Sequence, residues 1–116
     1  MSSWKRAVLV GVSVFLFGAG HAVFAADTVD AEAAKALAKK NDCFTCHSVD
    51  KDKKGPSYKK IAAKYKGKPD AEDTVIKDIT TGPKIKLEDG TEQEHKIINS
   101  KDMAAIKNLA NWILSQ

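Results

Sequence analysis

Cysteine is scarce in this chain of 116 residues, which contains Cys43 and Cys46 and no others. A structural zinc site needs four ligands, and neither a second cysteine pair nor a histidine pair follows to complete one. A thioredoxin-like redox pair is expected among alternating strands and helices, and the sequence has no such pattern. A disulfide across a two-residue gap would form a strained, reducible loop. These absences argue against three common roles of a Cys-x-x-Cys pair.

The two cysteines belong to the motif Cys43-Phe44-Thr45-Cys46-His47, and Cys-x-x-Cys-His is the attachment sequence of c-type haem. Two thiols on one helical turn can reach the two vinyl groups on one edge of a porphyrin and form thioethers. The next residue, His47, then places its imidazole under the ring, where a nitrogen can take one axial position of the iron. One haem accounts for both cysteines, so the motif predicts a single covalently bound haem c.

The first 25 residues have the pattern of a secretory signal peptide. Lys5 and Arg6 form a positive start, residues 7–20 are apolar, and the small residues Val23 and Ala25 fit the cleavage site. An uncleaved membrane anchor is the alternative, but the apolar run is short for a span and contains glycines. We therefore expect cleavage after Ala25 and a periplasmic location in a bacterium.

Removal of residues 1–25 leaves residues 26–116, a length that is enough for one domain. Lys5 and Arg6 leave with the signal, so 17 basic and 15 acidic side chains give the mature chain a net charge of +2. This small charge, together with export, argues against nucleic acid as a partner. A domain of this size buries a limited core, and a haem would add a large apolar group at its centre.

Four segments of the mature chain have helical periodicity, and none alternates like a strand, so we predict an all-α fold. The segments are residues 30–41, 58–65, 70–81 and about 100 to the end. Asp30 is a suitable N-cap for the first segment, and Met103 belongs to the apolar face of the last. The polar residues 82–99 contain the turn residues Asp89 and Gly90 and are predicted to form an irregular loop. A loop of that length in a small domain usually carries function.

The sequence resembles the small, single-haem bacterial class I cytochromes c over nearly all of residues 27–116. The segments that carry this resemblance are the haem motif, Lys54-Gly55-Pro56, residues 61–67 (Ile-Ala-Ala-Lys-Tyr-Lys-Gly) and residues 109–115 (Leu-Ala-Asn-Trp-Ile-Leu-Ser). The resemblance implies a small all-α fold with about four helices around a covalently bound haem. It also implies single-electron transfer between redox proteins, and no enzymatic reaction.

The resemblance further implies roles for individual residues. Cys43 and Cys46 would carry the two thioether bonds, and His47 would be the proximal ligand of the iron. Pro56 would pack near His47, and the turn before Pro56 would hold the imidazole by a hydrogen bond to its second nitrogen.

One segment departs from the family. The loop that usually presents an axial methionine between prolines corresponds here to residues 91–99, which contain no methionine, proline or tryptophan. Counting back from Trp112, the family's methionine would fall at about Lys96, next to His95. We therefore predict that His95 is the distal iron ligand. Met103 is the alternative donor, although its spacing in the last helix is typical of a core residue.

Other distal ligands lead to other functions. Lys84, Lys86 or Lys96 could bind iron only after losing a proton, and an open or water-bound site is the remaining option. A bis-histidine haem predicts an electron carrier of lower potential than the usual His–Met member. An open or weakly held distal site would instead suit a binder or sensor of small gases, and a haem subunit of a larger redox enzyme is a further alternative.

A lysine cluster follows the haem motif, with eight lysines between Lys51 and Lys68. Such a cluster could surround an exposed haem edge and steer an acidic redox partner. A solvated helix face would have the same composition.

Overall fold

A computed structural model describes residues 28–116, which form five helices and one antiparallel hairpin. The helices are α1 (Ala31–Lys40), α2 (Cys43–Cys46), α3 (Tyr58–Tyr65), α4 (Ala71–Thr81) and α5 (Met103–Leu114). The strands are β1 (Lys84–Lys86) and β2 (Glu92–Glu94). The predicted all-α fold class is confirmed, with α2 as a single extra turn that contains the haem motif. The predicted signal peptide, residues 1–25, lies outside the described residues.

Side chains that cap the first turn determine where three of the helices begin. Asp30 and Ser57 each accept a hydrogen bond from the backbone amide three residues later, at 3.0 and 3.1 Å. Asp102 accepts bonds from the amides of Ala104 and Ala105, at 3.0 and 3.3 Å, and so begins α5. These bonds satisfy amides that have no partner within the helix. The predicted start of the last helix near Ser100 is therefore wrong by about one turn.

Met103 differs from its predicted place in the core, because 51% of its surface is exposed. It is the first residue of α5, and side chains on a helix lean towards the N-terminus. A residue in the first turn has no preceding turn for its side chain to cover, which accounts for the exposure of Met103. Other apolar residues of the same helix are buried, namely Ile106, Ala110 and Ile113.

Helix α5 is the centre of the packing and contacts α1, α3 and α4. Ala34 and Ala38 of α1 belong to the same buried cluster as Leu109 and Ala110 of α5, and all four are 0% exposed. Alanine side chains at such a contact let two helix backbones approach closely. The first and last helices therefore pack together, as the family resemblance implies.

Three aromatic rings connect the haem motif to this core. Phe44 lies edge-on to Tyr58 and Trp112, with ring centres 6.0 and 6.4 Å away, and Tyr58 and Trp112 are 5.4 Å apart. Edge-to-face contacts of this kind stabilise aromatic pairs beyond the area they bury. The Phe44 side chain thus holds the haem motif against α3 and α5.

The segment predicted as an irregular loop contains the hairpin of β1 and β2. In its register Lys84 lies opposite Glu94 and Lys86 opposite Glu92, so opposite charges face each other across the strands. Strands of three residues are too short to give a recognisable alternation, which is why the sequence pattern did not predict them. The turn residues Asp89 and Gly90 are placed as predicted.

Hydrogen bonds within the hairpin turn fix its shape. The Asp89 carboxylate accepts bonds from the hydroxyl and the amide of Thr91, at 2.6 and 2.9 Å. These bonds hold the pKa of Asp89 below its usual value. Gly90 has a left-handed backbone with φ of 85°, a conformation that glycine adopts without a steric penalty.

Over the range 28–116, no helix combines the length and the apolar character that a membrane crossing requires.

Gly82 ends α4 with a left-handed backbone, and a Cβ there would lie 2.9 Å from the His95 carbonyl oxygen and 3.0 Å from Ile97 Cγ1. We predict that Gly82→Ala lowers the free energy of unfolding in denaturant by more than Gly90→Ala. Both changes cost about 1–2 kcal/mol for the left-handed backbone. Only the change at Gly82 adds overpacking, of about 1–3 kcal/mol, because the space around Gly90 is open. Equal losses for the two variants would contradict this prediction.

Candidate haem-binding site

A cavity of about 360 Å³ opens between the haem motif, α3, α4 and the hairpin. Its lining includes the side chains Cys43, Cys46, His47 and His95. Most of the remaining wall is apolar, including Ile61, Val75, Ile79, Ile98, Leu109 and Ile113. An apolar cavity with a few convergent polar groups is typical of a cofactor site.

The two cysteines lie on the single turn of α2, at the wall of the cavity. Asp42, which precedes them, has a left-handed backbone with φ of 57° and turns the chain from α1 into α2. Both cysteines are partly buried free thiols. Burial is the main cause that raises the pKa of the Cys43 thiol. The pair is therefore placed, unbridged, where two thioethers can join a group inside the cavity.

His47 follows the cysteines, and its ring is fixed by the backbone of Pro56. The Nδ1 atom lies 2.6 Å from the Pro56 carbonyl oxygen. A carbonyl oxygen can only accept, so Nδ1 carries the proton and the lone pair belongs to Nε2. Burial, with a smaller contribution from His95, lowers the pKa of His47 and favours this neutral form. A neutral imidazole with one nitrogen held by a carbonyl is the usual arrangement of a metal-binding histidine.

Two further residues restrict the His47 ring. The Tyr58 ring stacks on it, with centres 5.3 Å apart and planes inclined by 21°. A Cβ at Gly55 would lie 2.8 Å from His47 Cε1, so any larger residue there would displace the ring. The Gly55 amide also donates to the Cys46 carbonyl oxygen at 2.8 Å. The sequence did not assign either residue to the site, although Gly55 directly precedes Pro56 and Tyr58 follows it by two residues.

His95 enters the cavity from the strand that follows the hairpin turn. Its amide donates to the Pro83 carbonyl oxygen at 2.8 Å, which extends the pairing of β1 and β2 by one step. Its Nδ1 lies 2.9 Å from the Lys96 carbonyl oxygen, so this nitrogen carries the proton as in His47. Nε2 is therefore the ring nitrogen of His95 that the backbone does not use.

The His47 and His95 rings have centres 6.1 Å apart and planes inclined by 41°. A first-row metal ion binds an imidazole nitrogen at about 2 Å, so two rings on opposite sides of one ion have centres roughly 6 Å apart. The apolar wall, the two thiols and the two imidazole rings therefore fit a covalently bound haem.

The alternative distal donors have other positions. Met103 is exposed and does not line the cavity. The Lys96 amino group lies 2.6 Å from the Asp42 carboxylate, and both side chains are more than half exposed. Lys86 is exposed at the cavity edge, and Lys84 lies on the hairpin opposite Glu94.

All eight lysines between Lys51 and Lys68 are exposed, but they differ in their surroundings. Lys59 and Lys60 form ion pairs with Asp50 and Asp52. Lys64 and Lys68 place their amino groups 5.3 and 5.5 Å from the centre of the Tyr65 ring, a cation–π distance. Tyr65 and Lys64 also line the cavity. This part of the lysine cluster therefore lies at the cavity edge.

Comparisons with known proteins identify the family of this chain. The cytochrome c family model matches residues 31–116. Cytochrome c-552 from Nitrosomonas europaea is 40% identical over 85 residues, which cover 73% of this chain and 80% of that protein. Cytochrome c-551 from Allochromatium vinosum is 44% identical over 46 residues, 40% of this chain, and the match spans about half of that relative's length (49%).

A solved structure has a closely similar fold. The crystal structure of the class 1 cytochrome MtoD from Sideroxydans lithotrophicus ES-1 superposes with a TM-score of 0.73 at 60% identity. The match covers 76% of this chain and 97% of MtoD. The chain therefore belongs to the cytochrome c family, as a small c-type cytochrome that binds one covalent haem c and carries electrons instead of catalysing a reaction.

Proposed function

We propose that this cytochrome is a bis-histidine electron carrier of low reduction potential, with His47 and His95 as the axial ligands of its haem. The observation that carries this proposal is the 6.1 Å separation of the two rings in one cavity. Both rings have Nδ1 at a backbone carbonyl oxygen, which leaves both Nε2 atoms available to a metal.

The other donors are less suitable in position or protonation. Met103 is exposed and lies outside the cavity wall. A lysine would have to lose its proton, and exposure at the surface favours the charged amine. Lys96 is in addition paired with Asp42. His95 already lines the cavity that contains His47.

The ligand pair supports a low potential. A bound haem supplies one-electron chemistry between ferric and ferrous iron, and an axial methionine raises its potential. In this chain His95 takes the methionine's place in the loop. The carbonyl bonds at Nδ1 of His47 and His95 make both imidazoles more basic, which favours the ferric form further.

We predict that His95→Ala converts the haem from low-spin to high-spin and opens it to carbon monoxide, because one axial position loses its ligand. His95→Met should restore a low-spin haem with a higher midpoint potential than that of the wild type. Absorption spectra and potentiometric titration measure both changes. Met103→Leu is the matched control and should change neither.

An unchanged low-spin spectrum in His95→Ala would contradict the bis-histidine proposal. A far-red sulfur-to-iron band in the oxidised wild type, lost in Met103→Leu, would assign the sulfur ligand instead. Rapid binding of carbon monoxide by the reduced wild type would favour a gas-binding function.

We also propose that acidic redox partners dock through the lysine cluster at the cavity edge. Lys64 and Lys68 lie over Tyr65, which lines the cavity, so positive charge is concentrated close to the cofactor site. Lys59 and Lys60 contribute less because Asp50 and Asp52 offset their charge. Complementary charge of this kind raises the rate of encounter more than the affinity.

We predict that Lys64→Glu combined with Lys68→Glu slows electron transfer to an acidic redox protein by about tenfold at low salt. The matched control is Lys35→Glu combined with Lys39→Glu, which makes the same charge change on α1. Stopped-flow rates over a range of ionic strength measure the effect, which salt should abolish. Equal slowing by the two double variants would contradict docking at the cavity edge.

We further propose that residues 1–25 are removed during export and that residues 26–116 function in the periplasm. The charged start, the apolar run and the small residues before Ala26 support this. Mass spectrometry of the haem-loaded protein from a bacterial periplasmic fraction should give the mass of a chain that begins at Ala26. Full-length protein in the membrane fraction would indicate a retained anchor instead.

A further inference from the structure

We propose that Asn41 is a positioning residue for the distal ligand, because its side chain ties the loop that carries His95 to the helix that leads into the haem motif. The proposal rests on the proposed bis-histidine function. Asn41 is 6% exposed, and it and Ser57 are the two buried polar residues of the range 28–116. A buried amide needs hydrogen-bond partners, and those of Asn41 show what it holds together.

Both polar atoms of the Asn41 side chain form hydrogen bonds. Nδ2 donates to the Leu37 carbonyl oxygen at 2.9 Å, which closes the end of α1. Oδ1 accepts a hydrogen bond of 2.7 Å from the amide of Asn99, a residue 58 positions later in the chain. The first bond fixes the side chain on α1, and the second fixes the loop on the side chain.

The segment from His95 to Asn99 is held at both of its ends. At the first end, His95 donates to the Pro83 carbonyl oxygen at 2.8 Å and so follows the hairpin. At the other end, the Ile98 amide donates to the Ile79 carbonyl oxygen at 2.9 Å, and the Asn99 amide donates to Asn41. The bond to Asn41 therefore holds the segment from His95 to Asn99 in a fixed position relative to α1, the helix that leads into Cys43.

A second contact joins the same segments but is weaker. The Lys96 amino group pairs with the Asp42 carboxylate at 2.6 Å, and their side chains are 61% and 65% exposed. Exposed ion pairs contribute little because water and salt screen them. The part-buried bond between Asn41 and Asn99 is consequently the stronger tie, and Asn41 also lines the cavity that contains His95.

The test uses carbon monoxide and the haem-loaded, reduced protein. Carbon monoxide binds when His95 has left the iron, so its binding rate reports how often the distal ligand is displaced. We expect Asn41→Ala to bind carbon monoxide roughly tenfold faster than the wild type, since loss of one buried hydrogen bond shifts an equilibrium by about that factor.

Two matched variants separate positioning from general loss of stability. Asp30→Ala removes the cap at the other end of α1 and should leave the carbon monoxide rate unchanged. Asn41→Asp keeps an acceptor for the Asn99 amide and loses the donor to Leu37, so it should accelerate carbon monoxide binding less than Asn41→Ala does. Equal acceleration in Asn41→Ala and Asp30→Ala would overturn the proposal.

Hydrogen exchange gives a readout that needs neither the variants nor carbon monoxide. In the wild type the Asn99 amide should be protected, whereas the amide of exposed Lys101 should exchange fast. An unprotected Asn99 amide would overturn the proposal even if Asn41→Ala failed to fold.

His95→Ala separates failure of the positioning role of Asn41 from failure of the bis-histidine function. If His95→Ala binds carbon monoxide rapidly while Asn41→Ala behaves like the wild type, His95 is the ligand and the positioning role fails alone. If the wild type itself binds as rapidly as His95→Ala, the bis-histidine function fails and the positioning role fails with it.

Discussion

The site depends on two short hydrogen bonds, from the ring N–H groups of His47 and His95 to backbone carbonyl oxygens. These bonds decide which nitrogen of each ring is free, and they fix the direction in which the ring can bind. Backbone acceptors do not depend on a particular side chain, but they require that the backbone itself stay in place. Much of the surrounding structure holds these two backbone segments in place.

The two carbonyl groups are held by different means. Pro56 lies in a turn tied to α2 by the bond from Gly55 to Cys46, and the following amide, that of Ser57, donates to Asp52 at 2.7 Å. His95 instead continues an antiparallel hairpin through its amide bond to Pro83, and the Lys96 carbonyl is the next one along the chain. The segment that orients the His47 ring is therefore a compact turn, whereas His95 lies at the end of a small sheet.

Local features of the sequence predicted much of this arrangement. The spacing of Cys43, Cys46 and His47 indicated the cofactor, and capping residues such as Asp30 marked helix ends. The hairpin could not be predicted, because each strand has three residues and is held by pairing across the turn. The exposure of Met103 was also missed, since periodicity alone does not show that Asp102 begins the helix. The contact between Tyr58 and His47 depends on tertiary packing between segments eleven residues apart.

The charge pairing in the hairpin affects the electric field of the whole molecule. Between Lys84 and Glu94 the chain has two lysines and four acidic residues, whereas residues 51–68 have eight lysines and one aspartate. The hairpin segment thus has a net charge opposite in sign to that of the lysine cluster. The two segments meet where the Glu88 amide donates to the Lys54 carbonyl oxygen at 3.4 Å. Neighbouring charges of opposite sign offset each other at a distance, so the positive field that an acidic partner meets comes mainly from the lysines away from the hairpin turn.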